Sequence, residues 1–443
     1  MRSPAELKRA VCAAVDARKN DLFEIGDAIL HQPELGYKEV KTAALVSEAL
    51  SRLDIPHRTG IALTGIKAVL DTGRPGPTVA VIGELDSVLV RDHPLADPTT
   101  GAAHACGHNA QIAALLGVAG ALVQTDVMDS LSGRVALLVV PAEEYVEVEY
   151  RLGLKRQGLI EFLGGKPEFV RLGEMDDVDM AMMFHTTSRA EDGKLGLAPS
   201  FNGCVVKFVE FVGRAAHAGG APDKGINALN AAMLALSAIH AQRETFRDQD
   251  SVRVHPIITK GGELVNVVPA DVRMETFVRG RTVEAILDAE KKVNRALRAG
   301  ALAVGAKLRL TTLPGYLPYV GDPLLSDLIK ENSVALVGAE GWRDVGHQTG
   351  STDMGDVSQI MPAVHPYAGG ATGTGHGADF TIVDRDLAYL NPAKVMAMTL
   401  VDLLSGGAAM ARRVLAETPP KMSKAEYLEL ARRTDSVVEY EEN

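Results

Sequence analysis

The chain has 443 residues, of which 46% are hydrophobic and 23% charged, a composition typical of a globular protein, and its length predicts two domains. Its formal net charge of −11 argues against nucleic-acid binding, and its apolar runs are shorter than the roughly 18 residues that span a bilayer. Because three cysteines are too few for a disulfide framework and the N-terminus lacks a secretory pattern, we expect a soluble, cytoplasmic protein without nucleic-acid or membrane partners.

The first half of the chain alternates helical and extended patterns. Apolar residues recur at helical spacing, and short apolar runs bounded by Gly and Pro are typical of strands. This alternation predicts an α/β domain with a mostly parallel sheet covered by helices on both faces. The predicted helices are 5–31, 40–53 and 109–122, and the predicted strands are 66–70, 78–83, 135–140 and 180–184.

The pattern changes in the middle of the chain. There the order is strand, helix, two strands, helix, strand, which is typical of a ferredoxin-like α+β domain. We therefore expect residues 200–313 to form an inserted lid or dimerisation domain, and residues 1–199 and 314–443 to form one discontinuous catalytic domain. The charged segment from about 419 is predicted to be an appended helix or a mobile tail. The predicted strands are 205–212, 252–259, 271–279 and 307–312, and the predicted helices are 228–242 and 283–300.

Two local motifs carry groups that bind metals. Cys106 and His108 lie just before a predicted helix, and thiolate with imidazole favours zinc or another borderline transition metal. Glu143 and Glu144 follow a buried strand, at the end of a parallel sheet where sites collect. Taken alone, either motif is equally consistent with a structural role, as a buried thiol or as a solvated acidic loop.

Three further residues fit such a site without identifying it. His185 ends a predicted strand, and His376 lies in a glycine-rich loop, where an imidazole can approach other backbones closely. Asp86 closes another strand, where it could accept a hydrogen bond from a ligand imidazole. A structural histidine, a flexible loop and a turn-forming Asp are the respective alternatives.

Together, in this order, these motifs resemble the M20 metallopeptidase and amidohydrolase family, particularly the members with Cys in the metal site. The resemblance runs from the segment 31–36 to the loop at His376. Asn109 after the Cys-Gly-His motif and the segment 350–358 are similar to the branch containing the aminobenzoyl-glutamate hydrolase B subunit and dipeptidase-like proteins. The chain departs from the family at residues 87–89, where Ala-Leu-Pro is common, and has a long, charged segment at 147–177 of unassigned role.

The resemblance implies a role for each matched residue of the catalytic domain. Glu143 is implied to be the general base and Asp86 the partner that orients a ligand imidazole. Two divalent ions per chain are implied, with Zn or Mn expected and Co also compatible with these donors. The implied metal ligands are Cys106, His108, Glu144, His185 and His376.

The resemblance also implies roles in the inserted domain. His217 is expected to stabilise the oxyanion, often across a homodimer formed through this domain. Asn266 is expected to hold a substrate carboxylate or carbonyl, with Arg279 and Ser351 as further substrate-binding candidates. The apolar helical face at 228–236 is only modest support for dimerisation, because packing on the domain's own sheet explains it better.

The expected activity is hydrolysis of an amide C–N bond in a small substrate bearing a carboxylate: an N-acyl amino acid, an aryl amide or a dipeptide. Water activated by two ions would attack the carbonyl, with Glu143 moving the proton. An alternative is hydrolytic deamination of a carboxylated aromatic amine. A non-catalytic metal-binding or small-molecule-binding relative is a third reading, which the presence of Glu143 beside a full ligand set disfavours.

Overall fold

A computed structural model describes residues 2–441 and divides the chain into two units, each assembled from three stretches of sequence. The first unit runs to Pro199 and resumes over Val320–His347 and Val357–Ser423. The second unit comprises Ser200–Tyr319, Gln348–Asp356 and the described residues from Lys424 onward.

Helices and strands alternate through most of the described chain. Short 3₁₀ helices occupy Asp126–Ser130, Ala190–Asp192, Pro222–Lys224, Arg243–Thr245, Asp248–Asp250 and Ala339–Gly341, and a π-helix occupies Asp386–Leu390. The α-helices are α1 (Pro4–Ala17), α2 (Lys19–Leu30), α3 (Val40–Arg52), α4 (His108–Val123), α5 (Val148–Arg156), α6 (Gly165–Leu172), α7 (Ala228–Gln242), α8 (Val283–Val304), α9 (Pro323–Val337), α10 (Met354–Ile360), α11 (Asn391–Leu404), α12 (Ala409–Glu417) and α13 (Lys424–Thr434). The strands are β1 (His57–Ile61), β2 (Gly65–Asp71), β3 (Thr78–Glu84), β4 (Val88–Leu89), β5 (Ala102–Ala103), β6 (Arg134–Val140), β7 (Met180–Met182), β8 (His185–Thr186), β9 (Leu195–Leu197), β10 (Ser200–Phe201), β11 (Gly203–Val212), β12 (Arg253–Val254), β13 (Ile257–Lys260), β14 (Asp271–Gly280), β15 (Lys307–Pro314), β16 (Tyr319–Val320), β17 (Trp342–Asp344), β18 (Ala363–Val364), β19 (Pro366–Ala368), β20 (Ala371–Thr372), β21 (Thr381–Ile382) and β22 (Ser436–Tyr440).

The first unit is built on a six-stranded sheet in the order β1-β2-β6-β3-β7-β18. The four strands from β6 to β18 run parallel, whereas β1 and β2 are antiparallel additions at one edge. Every residue of β3 is buried, as expected of a central strand covered on both faces. This sheet brings the carboxyl ends of β3, β6 and β7 to one edge, where sites of α/β proteins form.

Helix α4 lies in the core of the first unit. All of its residues from His108 to Leu122 are buried, and its composition is apolar on every side, as for a helix surrounded by other elements. It contacts β3, α1, α2 and α11. The first residue of this immobilised helix, His108, is therefore held in a fixed position.

The N-terminal helix predicted at 5–31 is two helices, α1 and α2, separated at Arg18. Arg18 has non-helical dihedral angles, with φ −99° and ψ 10°. Its guanidinium donates to the main-chain oxygen of Leu116 at 3.2 Å and lies where a side chain on Gly120 would clash. Docking of Arg18 onto α4 accounts for the break, which helical periodicity alone did not indicate.

The second unit contains an antiparallel sheet in the order β12-β14-β11-β15-β22, with β13 also paired to β14. Helices α7 and α8 pack together against this sheet. The strand predicted at 252–259 is divided into β12 and β13 at Pro256, which has no N–H to donate to a sheet. The apolar alanines of α7 face the unit's own core, with Gly300 of α8 next to Ala231 and Ala235.

The C-terminal segment belongs to the second unit, which differs from the predicted assignment of 314–443 to the first domain. Strand β22 pairs antiparallel with β15, with Val438 opposite Leu310. Helix α13 contacts β15 as well. The segment predicted to be an appended helix or mobile tail is thus a helix and a strand, and the strand completes a sheet edge.

One helical stretch, Asp386–Leu404, is long and apolar enough to cross a membrane by length and composition. Buried core helices pass the same test. In this stretch, 78% of the apolar window is buried inside the protein, and α11 contacts α1, α4 and α9. The stretch is therefore a core helix of the first unit.

Candidate metal centre

Three parallel strands end at the candidate site, and each carries polar groups there. Strand β3 ends at Glu84, with Asp86 two residues further on, and β6 is followed by Glu143 and Glu144. Strand β7 is followed by His185. The main-chain N–H of Leu85 donates to the oxygen of Val140, which holds the ends of β3 and β6 in register.

A glycine between Cys106 and His108 lets both side chains enter the site. Gly107 caps α4 in the left-handed region, with φ 91°. A Cβ atom at this position would lie 2.7 Å from Cβ of Thr186, in the strand that carries His185. Only glycine satisfies both requirements, so this close approach of loop and strand depends on its having no side chain.

His376 comes from the glycine-rich loop between β20 and β21. Its main-chain N–H donates to the oxygen of Ala105 at 2.8 Å, and its own φ is 61°. The loop is therefore attached to the Cys106 segment by a backbone hydrogen bond. The result is that an imidazole distant in sequence lies next to the Cys-Gly-His motif.

These side chains form two groups with the spacing of metal ligands, and Cys106 belongs to both. One group is Cys106, His108 and His185, and the other is Cys106, Glu144 and His376, with ligand atoms within 4.8 Å of one another in each. Cys106 Sγ lies 3.3 Å from His185 Nε2, and Glu144 Oε1 lies 3.0 Å from His376 Nε2. Both groups consist of side chains that could hold a divalent cation.

The donors are oriented by neighbouring oxygens. His108 Nδ1 donates to the main-chain oxygen of Asp86 at 2.8 Å and lies 3.3 Å from Asp86 Oδ1. His185 Nδ1 donates to the main-chain oxygen of Thr186 at 2.8 Å. Asp86 Oδ2 accepts a hydrogen bond from the N–H of Glu144 at 2.9 Å. Because each Nδ1 carries the proton, each Nε2 is left with the lone pair that a metal ligand needs.

The electrostatics of the cluster favour positive charge at its centre. Burial raises the pKa of the Cys106 thiol, but the charges of His185, His108 and His376 together outweigh it and lower the pKa to about 6. Burial likewise raises the pKa of Glu144. The opposing effects, chiefly the charge and hydrogen bond of His376, are larger together, so the net pKa is below the usual range. In turn Glu144 raises the pKa of His376. Thiolate and carboxylate are therefore the stable forms of these donors.

The residues present fit divalent cations. His108 Nε2 and Asp86 Oδ1 are buried without a hydrogen bond, and buried polar atoms of that kind usually have a partner. Thiolate, imidazole and carboxylate are together the donors of zinc, manganese and cobalt sites. An unsatisfied imidazole nitrogen among such donors matches a metal site better than a packed protein core.

Glu143 lies beside the ligand groups. Its carboxylate is within 4.8 Å of ligand atoms of His108 and Glu84, and its side chain is only 7% exposed. The loop that carries it is held by Arg151 of α5, which donates to the main-chain oxygens of Ala142 and Glu144. Sequence reasoning did not identify Arg151, because a single arginine in a charged segment gives no signal.

Three other buried groups near His108 were also missed. Glu84 accepts a hydrogen bond from Gln111 at 2.7 Å and forms an ion pair with Lys166, and all three side chains are buried. A signal for Glu84 did exist. Residues two apart in a strand face the same side, so the pairing of Glu84 with Asp86 on one face could have been read from the sequence.

The candidates of the second unit form two sets within that unit. His217 and Asn266 lie on adjacent exposed loops, where the N–H of Ala218 donates to the main-chain oxygen of Asn266 at 2.9 Å. Arg279 instead lies opposite Cys204 in the sheet, and Ser351 contacts the same cysteine. The roles predicted for these four residues remain predictions.

Comparisons with known proteins agree with this architecture. Residues 203–304 match the M20 peptidase dimerisation domain. The chain is 27% identical over 421 residues to Xaa-Arg dipeptidase of Mus musculus, covering 90% of this chain and 89% of that protein. It is 26% identical over 424 residues to indole-3-acetyl-aspartic acid hydrolase of Enterobacter agglomerans, covering 84% and 92%. A dinuclear metal-binding peptidase of the M20 family from Bacillus subtilis shares the fold, with TM-score 0.64, 21% identity and coverage of 88% and 99%.

The fold, the cluster and these relatives define a metal-dependent hydrolase of carbon–nitrogen bonds. Residues 203–304 match the M20 peptidase dimerisation domain and the chain's relatives are M20 amidohydrolases and dipeptidases, in agreement with the resemblance of its motifs. The predicted fold class, an α/β catalytic domain with an α+β dimerisation domain, is confirmed. The narrower assignment to the branch of the aminobenzoyl-glutamate hydrolase B subunit stays a prediction.

Proposed function

We propose that this protein is a dinuclear metal-dependent amidohydrolase acting on a small substrate that carries a carboxylate. The observation that supports it most directly is Cys106, which is common to two groups of candidate ligands beside Glu143. When bound, two divalent cations would polarise the scissile carbonyl and acidify a water molecule. Zn and Mn suit the donors, and Co is also compatible with them.

Each of the chain's own residues has a proposed part in the reaction. Cys106, His108, Glu144, His185 and His376 would hold the cations. Glu143 would take a proton from the attacking water as its oxygen bonds to the carbonyl carbon. It would return that proton to the nitrogen when the C–N bond breaks, a transfer that typically contributes ~10²–10⁴ in rate.

Substrate recognition is proposed for the second unit. His217, which is exposed, would stabilise the oxyanion. Asn266 beside it would hold a substrate carboxylate, and Arg279 and Ser351 would be further substrate contacts. Two relatives are named for cleaving a dipeptide and an N-acylated aspartic acid, and both kinds of molecule contain an amide and a free carboxylate. N-acyl amino acids, aryl amides and dipeptides are accordingly the proposed substrate class.

We also propose that the protein is a homodimer formed through the second unit. Strand β13 is at the edge of its sheet, and Ile257 and Ile258 are exposed there. In the following loop Leu264 is 64% exposed and Val265 fully exposed. An apolar edge of this kind on a domain matched to a dimerisation domain supports a second copy of this chain as its partner.

The deciding experiment compares wild type with Glu143→Gln. Protein depleted of metal with a chelator would be reloaded with Zn²⁺, Mn²⁺ or Co²⁺ and assayed on a panel of N-acyl amino acids, aryl amides and dipeptides. We expect equimolar amine and carboxylic acid from wild type, and a rate ~10²–10⁴ lower from Glu143→Gln with both cations retained. Glu147→Gln, in the same acidic loop but paired with Lys38, should keep the wild-type rate.

Full activity of Glu143→Gln with two bound cations would contradict the proposal. Ammonia released from a carboxylated arylamine, with no new carboxylic acid, would favour deamination instead.

A further inference from the structure

Glu84 is a buried carboxylate within reach of the candidate metal centre but outside the ligand set implied by the family motifs. Its Oε2 atom lies 3.1 Å from His108 Nε2, and both side chains are fully buried. Despite this short distance, His108 Nε2 makes no hydrogen bond. A hydrogen bond would need the ring nitrogen to aim at that oxygen. The two atoms are therefore close neighbours that are not joined by a hydrogen bond.

The distance between Glu84 Oε2 and His108 Nε2 is that expected between two ligand atoms on one cation. Nitrogen and oxygen ligands lie ~2.0–2.2 Å from a zinc ion, so two of them at angles of about 90–110° are separated by about 3 Å. The other candidate pairs show similar separations, 3.0 Å for Glu144 and His376 and 3.3 Å for Cys106 and His185. Glu84, His108 and Glu143 also form a group whose ligand atoms all lie within 4.8 Å of one another.

The neighbours of Glu84 leave one lone pair of its carboxylate available for a metal ion, and they offset the negative charge of the carboxylate. Lys166 pairs with Oε1, and the side-chain amide of Gln111 donates to Oε2 at 2.7 Å. A carboxylate oxygen has two lone pairs, so Oε2 can accept from Gln111 and still bind a cation. The buried Lys166 ammonium balances the extra negative charge that another carboxylate brings into the protein interior.

We propose that Glu84 is an additional ligand of the cation bound by His108, with Lys166 and Gln111 as positioning residues. This inference rests on the proposed two-cation function. It makes the two metal positions unequal, because a carboxylate oxygen is added to the thiolate and imidazoles of one position. Oxygen donors suit Mn²⁺, so the position at His108 should accept Mn²⁺ more readily than thiolate and imidazole alone would.

The test is titration of metal-free protein with Co²⁺, following visible absorption and the number of cations bound. The thiolate charge-transfer band reports on Cys106, and the ligand-field bands report on coordination number. We expect Glu84→Gln to lower the binding affinity for one of the two cations by at least about 10- to 100-fold. This is the range for losing a group that supports a metal ligand. The charge-transfer band from the other cation should persist.

Removing one member of a buried ion pair can destabilise a protein by itself, whereas replacing both is often neutral. The decisive variant is therefore Glu84→Gln combined with Lys166→Met. If Glu84 is a ligand, the double variant still loses the cation, and Lys166→Met alone keeps both. If the pair were only structural, the double variant would recover wild-type binding, and that result would overturn the assignment.

Glu168→Gln is the matched control, because Glu168 is fully buried and paired with Arg171 in the same segment of the chain. It should bind both cations with unchanged spectra. Wild type that binds fewer than two cations would overturn the proposed two-cation function itself. Unchanged binding by the double variant, in a protein whose wild type binds two, would overturn only the role of Glu84.

Discussion

The candidate site depends on individual residues whose value is steric as much as chemical, and Gly107 is the clearest example. Its φ of 91° places it in the left-handed region, and Thr186 fills the space that a side chain would need. Replacing Gly107 with any residue that has a side chain should therefore displace Cys106 or His108.

Gly107→Ala should reduce the amount of bound metal by more than its effect on the stability of the fold would explain. The added Cβ meets Thr186 at 2.7 Å, so the loop must shift away from His185. Gly60→Ala is the control, since Gly60 has φ 74° but nothing within 4 Å of the added atom. The strained dihedral alone costs ~1–2 kcal/mol in both variants. Bound metal measured by mass spectrometry should fall only in Gly107→Ala, and equal metal content in the two would contradict the steric argument.

Glu39 is a second residue whose environment makes a measurable prediction. It is fully buried, accepts hydrogen bonds from Thr64 and from the N–H of Ala142, and lies near Asp86. Burial, and then the charge of Asp86, raises its pKa from 4.5 to about 7. A carboxyl with a raised pKa stabilises the folded state fully below pH 4.5 and loses that contribution as the pH rises through about 7.

Glu39→Gln should therefore remove a pH-dependent loss of stability. Wild type is expected to lose apparent stability between pH 5 and pH 8. In the variant the amide oxygen can accept from the N–H of Ala142 and the amide NH2 can donate to Oγ1 of Thr64, without a charge to desolvate. The readout is the midpoint of urea unfolding of metal-free protein at both pH values. Glu48→Gln, at an exposed position of α3, should retain the wild-type difference, and a wild-type difference in Glu39→Gln would refute the idea.

At the level of elements, the segment after Glu144 supports the candidate site. Helix α5 supplies Arg151, which is fully buried and donates to the main-chain oxygen of Leu163 at 2.8 Å as well as to those of Ala142 and Glu144. Its guanidinium also lies over the rings of Tyr37 and Tyr145. The charged insertion of unassigned role thus fixes the backbone on both sides of Glu143.

Arg151→Lys should lower kcat with a smaller change in KM. An ammonium group cannot reach several carbonyl oxygens at once as a planar guanidinium does, so the Glu143 loop loses its fixed position. A decrease of at least about tenfold in kcat is expected, because small displacements of catalytic groups are costly. Arg156→Lys, exposed on the same helix, is the control. Equal kinetics for the two variants would show that the loop does not need Arg151.

Sequence patterns predicted elements well where the pattern is local. The helix predicted at 109–122 is His108–Val123, and the strand predicted at 135–140 is Arg134–Val140. They failed where a long-range contact decides the outcome, as at Arg18, whose guanidinium docks on α4. The same limit applies to the site: motifs marked the five candidate ligands, but the buried pair of Glu84 and Lys166 joins residues 82 positions apart.

For the whole molecule, the dimer proposal gives a direct measurement. Wild type should have a solution mass of twice the 47.0 kDa of one chain by light scattering. Ile257→Asp combined with Val265→Asp should shift the mass to that of one chain, because charges on the apolar edge of β13 oppose its burial. Leu302→Asp, an exposed apolar position on α8, should leave the mass unchanged. A wild-type mass near 47.0 kDa would remove the proposal.

Strand β22 also bears on how the protein folds during synthesis. It completes the sheet of the second unit by pairing with β15, from which it is separated by more than a hundred residues of the chain. Until β22 has been synthesised and has emerged from the ribosome, β15 has an unpaired edge, and unpaired edges invite association between nascent chains. We therefore expect the interval between translation of β15 and of β22 to be the period when this protein most needs chaperones.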